Sequence, residues 1–555
     1  MKKLILSLGY YRGWKILFSS LVLILLFLIF FLKFLNQKNP ETAVHIQNEN
    51  SKFFYENLLK ISNKESIRNS TEIFTVTVPH HLLASDLIAK TFKQIEDQQP
   101  KNIFILSPDH FDRGKTKITI SNIPLETPIS KTLLNKSLIN KLKKIKNIEV
   151  NNEVFKYEHG IGAVLPFAQI VWPKVNFIPI LIRKDAKKED LEDLIRFLNE
   201  NIKNNLIIES SDFSHYLNEK DANKKDQETI NIFSNENPEK IWNLNQPDNC
   251  DSVNILYIIK KLQTLNNWDT EFYLNRNSQF YTKDNVNETT SYITFFNSGE
   301  EMEIFDKANE ILLAGDFFTG RYNLENFRNQ EFLNKKINEI LNKTKDRKMI
   351  LNFEGYLDQQ CVFDQLKLCM EEKPTLEFLK ELNVVAVSLA NNHSLDGGKD
   401  KYNFTKNLLE KNEILVVEEN EYEKIILNKY NFEILGLNDI NPITKERNNI
   451  YLKSLSEFLD QKKDKFFKKF IFIHWGRENS NSLDTRDELI LAILGKYNFD
   501  GIFGAHTHIA SNLSYINDLP FVFSLGNFFF DQINNSEQMI RIKFFDTGNF
   551  SLKNI

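Results

Sequence analysis

The sequence predicts an α/β protein: an N-terminal transmembrane helix followed by two α/β domains. Three observations carry that prediction. The chain has 555 residues, and at roughly 150 residues per domain it must divide into several cores. Short apolar runs rich in Ile, Val and Phe, such as "KNIFIL", "NNLIIE", "NVVAVSL" and "KFIFI", read as buried strands of a covered sheet. They alternate with helical stretches such as "KEDLEDLIRFLNENI" and "KYNFTKNLLEKN". Finally, eight of the ten histidines split evenly between the two halves and keep falling directly after the strand-like runs. Polar residues at the carboxyl ends of strands occupy the place where α/β folds build their sites.

Taken in order, residues 1–13 carry Lys2, Lys3 and Arg12 and read as a cytoplasmic tail. Residues 14–35 read as the anchor, with an uncharged apolar run from Ile16 to Leu32 that approaches the ~20 residues needed to cross a bilayer. No Ala-x-Ala cleavage pattern follows it, so an uncleaved anchor is expected, and the basic residues ahead of it place both later domains outside the cell membrane. Residues 36–70 are polar and read as a stalk or linker. The first α/β domain is expected over 70–298 and the second over 304–548, with the seam near "FFNSGEEMEIFDKANE". The net charge of −4 provides no basic field for nucleic acid. Three cysteines do not make a disulfide framework; Cys361 and Cys369 either pair in an oxidising compartment or stay free. There is no internal repeat, phosphate loop or dinucleotide fingerprint.

In the second half the strand ends supply, in order, Asp316, Glu354, Asn391-Asn392-His393, His474, and the pair His506 and His508. Residues two apart on an extended segment share a direction, so the last two are expected to aim at one place. Carboxylates, an amide oxygen and imidazoles together suit Mn, Fe or Zn. A carboxylate such as Glu354 can bridge two cations ~3.5–4 Å apart, which clamp an attacking and a leaving oxygen. His393 is left as the proton donor. Asn527 in "SLGNFFFDQ" reads either as a turn cap or as a site residue.

The pieces "GD" at 315–316, "NFEG", "SLANNHSLDGG", "HWGRE", "GAHTH" and "SLGNFFFDQ" resemble the CapA family of poly-γ-glutamate capsule synthesis proteins. The resemblance implies a calcineurin-like metallophosphoesterase fold, with Asp316, Glu354, Asn392, His474, His506 and His508 as metal ligands and His393 as the catalytic histidine. Two departures stand out: Phe317 and Phe318 follow Asp316 where Asp-x-His is usual, and Glu354 replaces an aspartate.

In the first half, His80, His110 and Cys250 are candidates for a mixed nitrogen and sulfur site for Fe or Cu. Glu158 and His159 precede an apolar helical run; Asp212 and His215 follow a strand and would orient a substrate or ligand. Cys250 also reads as a plain buried residue, and His215 as a helix cap. Pro79-His80, Ser107-Pro108-Asp109-His110, Glu158-His159, Ser211 to His215 and Asn249-Cys250 resemble the Memo-like proteins, called AmmeMemoRadiSam system protein B in prokaryotes. That resemblance implies a fold like the class III extradiol dioxygenases, although His81-Leu82-Leu83 stands where Ala-Gly-Tyr is usual.

The sequence therefore points to a membrane-anchored, extracytoplasmic, metal-dependent hydrolase acting in capsule, poly-γ-glutamate or other envelope-polymer metabolism. Its expected partners are an envelope polymer or small phosphoester, the membrane through one helix, and capsule synthesis or export proteins. The rivals are a non-catalytic polymer-binding assembly factor and a redox metalloprotein working through the first domain.

Overall fold

The computed structural model describes residues 43–555 apart from 49, 66, 69–70, 235–236, 283–287, 305–306, 448–449, 451, 462–467 and 533–536. The expected tail and anchor lie outside the described residues, among which no helix is long and apolar enough to cross a membrane.

The first domain is built on eight strands: β1 (Ile73–Val78), β2 (Asn102–Pro108), β3 (Ile118–Ile120), β4 (Ile148–Val150), β5 (Asn176–Ile182), β6 (Asn205–Ser210), β7 (Asp269–Asn277) and β8 (Ser291–Ser298). Their order across the sheet is β7-β8-β1-β6-β2-β5-β3-β4. The central strands β1, β6, β2 and β5 run parallel. Strand alternation divides the core: Phe104 and Leu106 face one apolar cluster while Ile103 and Ile105 face the other. Helices cover both faces, which is why these strands read as continuous apolar runs.

Part of the stretch read as a stalk, 36–70, is instead folded onto this domain. Val44–His45 pairs in parallel with Leu125–Glu126, and a helix runs over Lys52–Ile61. Tyr55 and Leu59, four residues apart, form the buried stripe of that helix, and Tyr55 meets Phe167 edge-on with ring centroids 4.8 Å apart. The helix carries Phe53, Phe54, Tyr55, Leu58, Leu59 and Ile61, an amphipathic signal that the polar reading of the whole stretch overlooked.

The second domain packs two sheets face to face. The strands of these two sheets are β9 (Glu310–Phe317), β10 (Lys348–Phe353), β11 (Val384–Ser388), β12 (Leu415–Val417), β13 (Tyr422–Leu427), β14 (Tyr430–Asn438), β15 (Lys468–His474), β16 (Gly501–Ala505), β17 (Ser514–Ile516), β18 (Leu519–Val522), β19 (Asn527–Phe529), β20 (Ile540–Phe544) and β21 (Phe550–Asn554). One sheet runs β12-β11-β10-β9-β20-β21, with β19 also pairing β9; the other runs β13-β14-β15-β16-β18-β17. Between them lies a cluster that includes Ile311, Leu313, Ile350, Phe432, Phe470 and Phe503. Parallel pairing of β9 with β10, β10 with β11, and β15 with β16 brings their carboxyl ends to one edge.

The domains share a polar, buried seam. Glu271 on β7 is fully buried and accepts from Arg541 Nη2 at 2.5 Å and Lys543 Nζ at 3.0 Å, both on β20. Gln227 exchanges two 2.9 Å bonds with the backbone of Phe550, and Phe545 joins an apolar cluster of the first domain.

Candidate metal centres

In the second domain the site follows from the strand ends. Asp316 is the penultimate residue of β9, Glu354 comes directly after β10, His474 closes β15, and His506 directly follows β16. Two groups of donor atoms result, each within 4.8 Å: Glu354, His474 and His506, and Asp316, Glu354 and His508. Glu354 belongs to both. All five side chains are buried.

His506 and His508 converge, but not for the reason the sequence offered. The loop is not extended: φ is 93° at His506 and 61° at His508. Such left-handed conformations cost about 1–3 kcal/mol each away from glycine and persist where surroundings over-determine them. Here the His506 amide donates to Asp316 Oδ2 at 3.1 Å, tying the bend to β9. His508 Nδ1 lies 3.1 Å from Asp316 Oδ2 and 2.7 Å from Asn527 Oδ1. The bend therefore splits the pair between the two groups instead of stacking it on one.

Around them sits a shell of amides. Asn352 Nδ2 donates to Asp316 Oδ1 at 2.7 Å, and Asn392 Oδ1 lies 2.8 Å from His474 Nε2. His393 Nδ1 lies 2.7 Å from Asp396 Oδ2, and Lys445 Nζ donates to Asp396 Oδ1 at 2.6 Å. Phe317 and Phe318, at the departure after Asp316, pack into the apolar core. The sequence reading missed Asn352, two positions before Glu354 in "NFEG", and Lys445, which belongs to no motif. Asn527, left open there, contacts His508.

The electrostatics fit bound cations. Burial, reinforced by Asp316, raises the Glu354 carboxyl well above its ordinary value. Burial, followed by the charge of His508, lowers His506 to about 3. Burial opposes charge on His508 too, but the Asp316 hydrogen bond and Glu354 outweigh it and raise His508 to about 9. Glu354 Oε2 and His506 Nδ1 are buried with no hydrogen-bond partner among the described residues. Unsatisfied acceptors among carboxylates and imidazoles fit divalent cations of the Mn, Fe or Zn type.

The first domain gathers His80, His110 and His159, again with donor atoms within 4.8 Å. Glu158 accepts from the backbone amides of His110 and Gly160, both at 3.1 Å, and its Oε1 lies 2.5 Å from His110 Nδ1. Asp212 Oδ1 accepts from the His80 amide at 3.0 Å. His215 stands apart, its Nδ1 against the Phe213 carbonyl. Cys250, expected as a ligand, is not in the group. It is fully buried in an apolar cluster, and burial raises its thiol well above the ordinary value. The neighbouring Asp251 approaches the histidines instead, its Oδ2 3.1 Å from His80 Nε2. One peptide step separates core from pocket, and spacing alone could not choose between the two residues.

Comparison with known proteins divides the chain at the same seam. Residues 39–295 match the family described as Memo-like protein, and residues 310–532 match the family described as bacterial capsule synthesis protein PGA_cap. A MEMO1 family protein of Nitrosopumilus maritimus is 27% identical over 163 residues, covering 28% of this chain and 59% of that protein. The capsule biosynthesis protein CapA of Bacillus anthracis is 26% identical over 179 residues, covering 29% of this chain and 44% of that protein. The chain thus spans about half the length of the curated relatives it matches. A hypothetical protein from Thermus thermophilus aligns at 13% identity over 44% of this chain and 98% of its own, with a TM-score of 0.29.

Proposed function

We propose that this chain, a Memo-like domain joined to a PGA_cap capsule-synthesis domain, is a metal-dependent hydrolase of an envelope polymer or a phosphoester, with its chemistry in the second domain. The observation that carries the reading is that one buried carboxylate, Glu354, serves two donor groups at once. Two divalent cations there would polarise the scissile group and acidify water. Asp316, Glu354, Asn392, His474, His506 and His508 would hold them. Asp396 fixes Nδ1 of His393, which leaves Nε2 to pass a proton to a departing oxygen. Lys445 clamps the same turn through Asp396 and through the Asn392 carbonyl at 2.5 Å. Poly-γ-glutamate is the polymer proposed, from the resemblance of the second domain to CapA.

We also place the protein on the outer side of the cell membrane, held by its N-terminal apolar run, where capsule synthesis or export proteins would be its partners. The Cys361–Cys369 disulfide supports that reading, since such bonds persist in oxidising compartments.

The test is metal analysis of the full chain in detergent, with His506→Ala and His508→Ala, alongside hydrolysis of a generic phosphodiester and of poly-γ-glutamate. Metal content and turnover are expected to fall together in both variants. Unchanged metal content in both would refute the centre. Metal bound without turnover of either substrate would favour a polymer-binding assembly factor.

A further inference from the structure

We propose that the mouth of the second domain's site docks on a lipid bilayer, and that the phosphoester it takes is one held in that bilayer by a lipid tail. The substrate half of this proposal rests on the hydrolase reading above; the docking half does not.

The observation is where the exposed apolar side chains fall. Among the described residues of the second domain eight large apolar side chains are exposed, and five of them, Tyr322, Val362, Phe363, Leu366 and Ile443, border one opening. The candidate ligands are buried, whereas the His393 side chain is 19% exposed, so the site opens beside it. Asp396, which holds His393, is gripped by two loops. The Leu368 amide donates to its Oδ2 at 3.0 Å and Lys445 Nζ to its Oδ1 at 2.6 Å. Leu366 and Ile443 stand two residues from those contacts and are 80% and 83% exposed. Tyr322 joins the rim through Phe363, their ring centroids 5.0 Å apart, and the neighbouring Arg321 Nη1 donates to the Gln365 carbonyl at 3.3 Å. Apolar residues exposed singly are ordinary, but a group of them around a site mouth marks a contact surface.

The loop is made to show these side chains. Its ends are pinned by the Cys361–Cys369 disulfide, whose two cysteines are buried with Leu324 against Tyr356, so the residues between cannot collapse inward. Its acid is turned to its own backbone: Asp364 Oδ1 accepts from the amides of Leu366 at 2.8 Å and Lys367 at 3.3 Å. Its cation, Lys367, is exposed. An apolar crest with satisfied turn amides and an exposed positive charge complements a layer of anionic headgroups. The chain's own apolar run, Ile16 to Leu32, indicates that such a layer is at hand. Only residues 33–42 separate it from the start of the described chain, and ten residues span at most about 35 Å. A crest too shallow to hold a membrane alone then serves as the second attachment beside the first. A phosphoester with a lipid tail meets the site there without leaving the bilayer. Water's oxygen joins phosphorus, the bond from phosphorus to the departing oxygen breaks, and His393 gives that oxygen its proton.

The experiment places the full chain in vesicles of phosphatidylcholine and phosphatidylglycerol whose acyl chains are brominated near the headgroup, a quencher of indole fluorescence. Val362→Trp and Leu366→Trp put an indole on the crest, and their exposure lets both fold. Ile426→Trp puts one on β13, close to the domain seam where Lys429 bonds Asp546. Quenching of the unaltered chain, with Trp14 at the anchor, is subtracted. The crest indoles are expected to be quenched and that of Ile426→Trp not. Crest indoles facing solvent, a second copy or another protein would be quenched no more than Ile426→Trp, which overturns the docking. The substrate is tested with a diacylglycerol nitrophenyl phosphodiester in the same vesicles and soluble bis-nitrophenyl phosphate. In Val362→Asp, Leu366→Asp the ratio of lipid to soluble turnover is expected to fall at least about tenfold, the effect of withdrawing one Val or Leu side chain from apolar surroundings. An unchanged ratio overturns the substrate half. Turnover of neither compound by the unaltered chain counts against the hydrolase reading, and the quenching then decides the docking by itself.

Discussion

Replacing Glu271 by Gln probes the seam between the domains at its most charged point. The carboxylate is fully buried between Arg541 at 2.5 Å and Lys543 at 3.0 Å. At an effective dielectric of about 20, unit charges at those separations attract by about 6 kcal/mol each. Much of that gross attraction offsets the several kcal/mol needed to strip water from each ion. Removing one partner loses the attraction and keeps the desolvation of the others, so Glu271→Gln is expected to destabilise the chain by about 3–5 kcal/mol. Burial disfavours the Glu271 charge, but Arg541 and then Lys543 outweigh it and hold the group well below its ordinary 4.5. A depressed carboxylate contributes stability above its unfolded value that is lost as pH falls below it. Urea unfolding followed by tryptophan fluorescence at several pH values measures both effects. The variant should unfold earlier at neutral pH, and its stability should decline less than the wild type's below pH 4.5. A variant within 1 kcal/mol (about fivefold in the folding equilibrium) of the wild type at neutral pH would refute the reasoning.

Three further outcomes are expected. Asp396→Asn should lower phosphodiester turnover about 100-fold or more with little change in KM, because it removes the group that orients His393 for proton transfer; an equal loss in metal content would contradict this. Reduction of the Cys361–Cys369 bond, which spans a sequence separation of 8, should cost about 2–3 kcal/mol by loop-closure entropy, read as a lower urea midpoint that Cys361→Ser reproduces. In chelator, stability should fall as pH rises from 6.5 to about 9, the span between the ordinary and the raised value of His508. Mn²⁺ should remove that dependence, and a flat profile in chelator would count against a protonated His508.

The second domain's candidate residues could be picked out in the sequence because they lie at or within a few residues of the carboxyl ends of strands. The run "EILLAG" fixes where Asp316 emerges, and "KKFIFI" fixes His474, so the parallel sheet turns sequence position into spatial position. Asn352 lay within a quoted motif yet escaped notice, since an amide two residues before a ligand has no spacing rule of its own. Lys445 was invisible: it reaches Asp396 across 49 residues of chain, and only the packed fold makes them neighbours.

What the sequence determined by itself was the strand and helix pattern, the two-domain division, and the set of imidazoles and carboxylates available to bind ions, because periodicity and residue chemistry are local properties. Only the tertiary structure decided the rest. It assigned His506 and His508 to different donor groups by a left-handed bend, drew Val44–His45 and Lys52–Ile61 onto the first domain, and turned Cys250 into the core with Asp251 toward the histidines. Those outcomes depend on backbone torsion and on which surface each side chain finds, and neither is written in residue spacing.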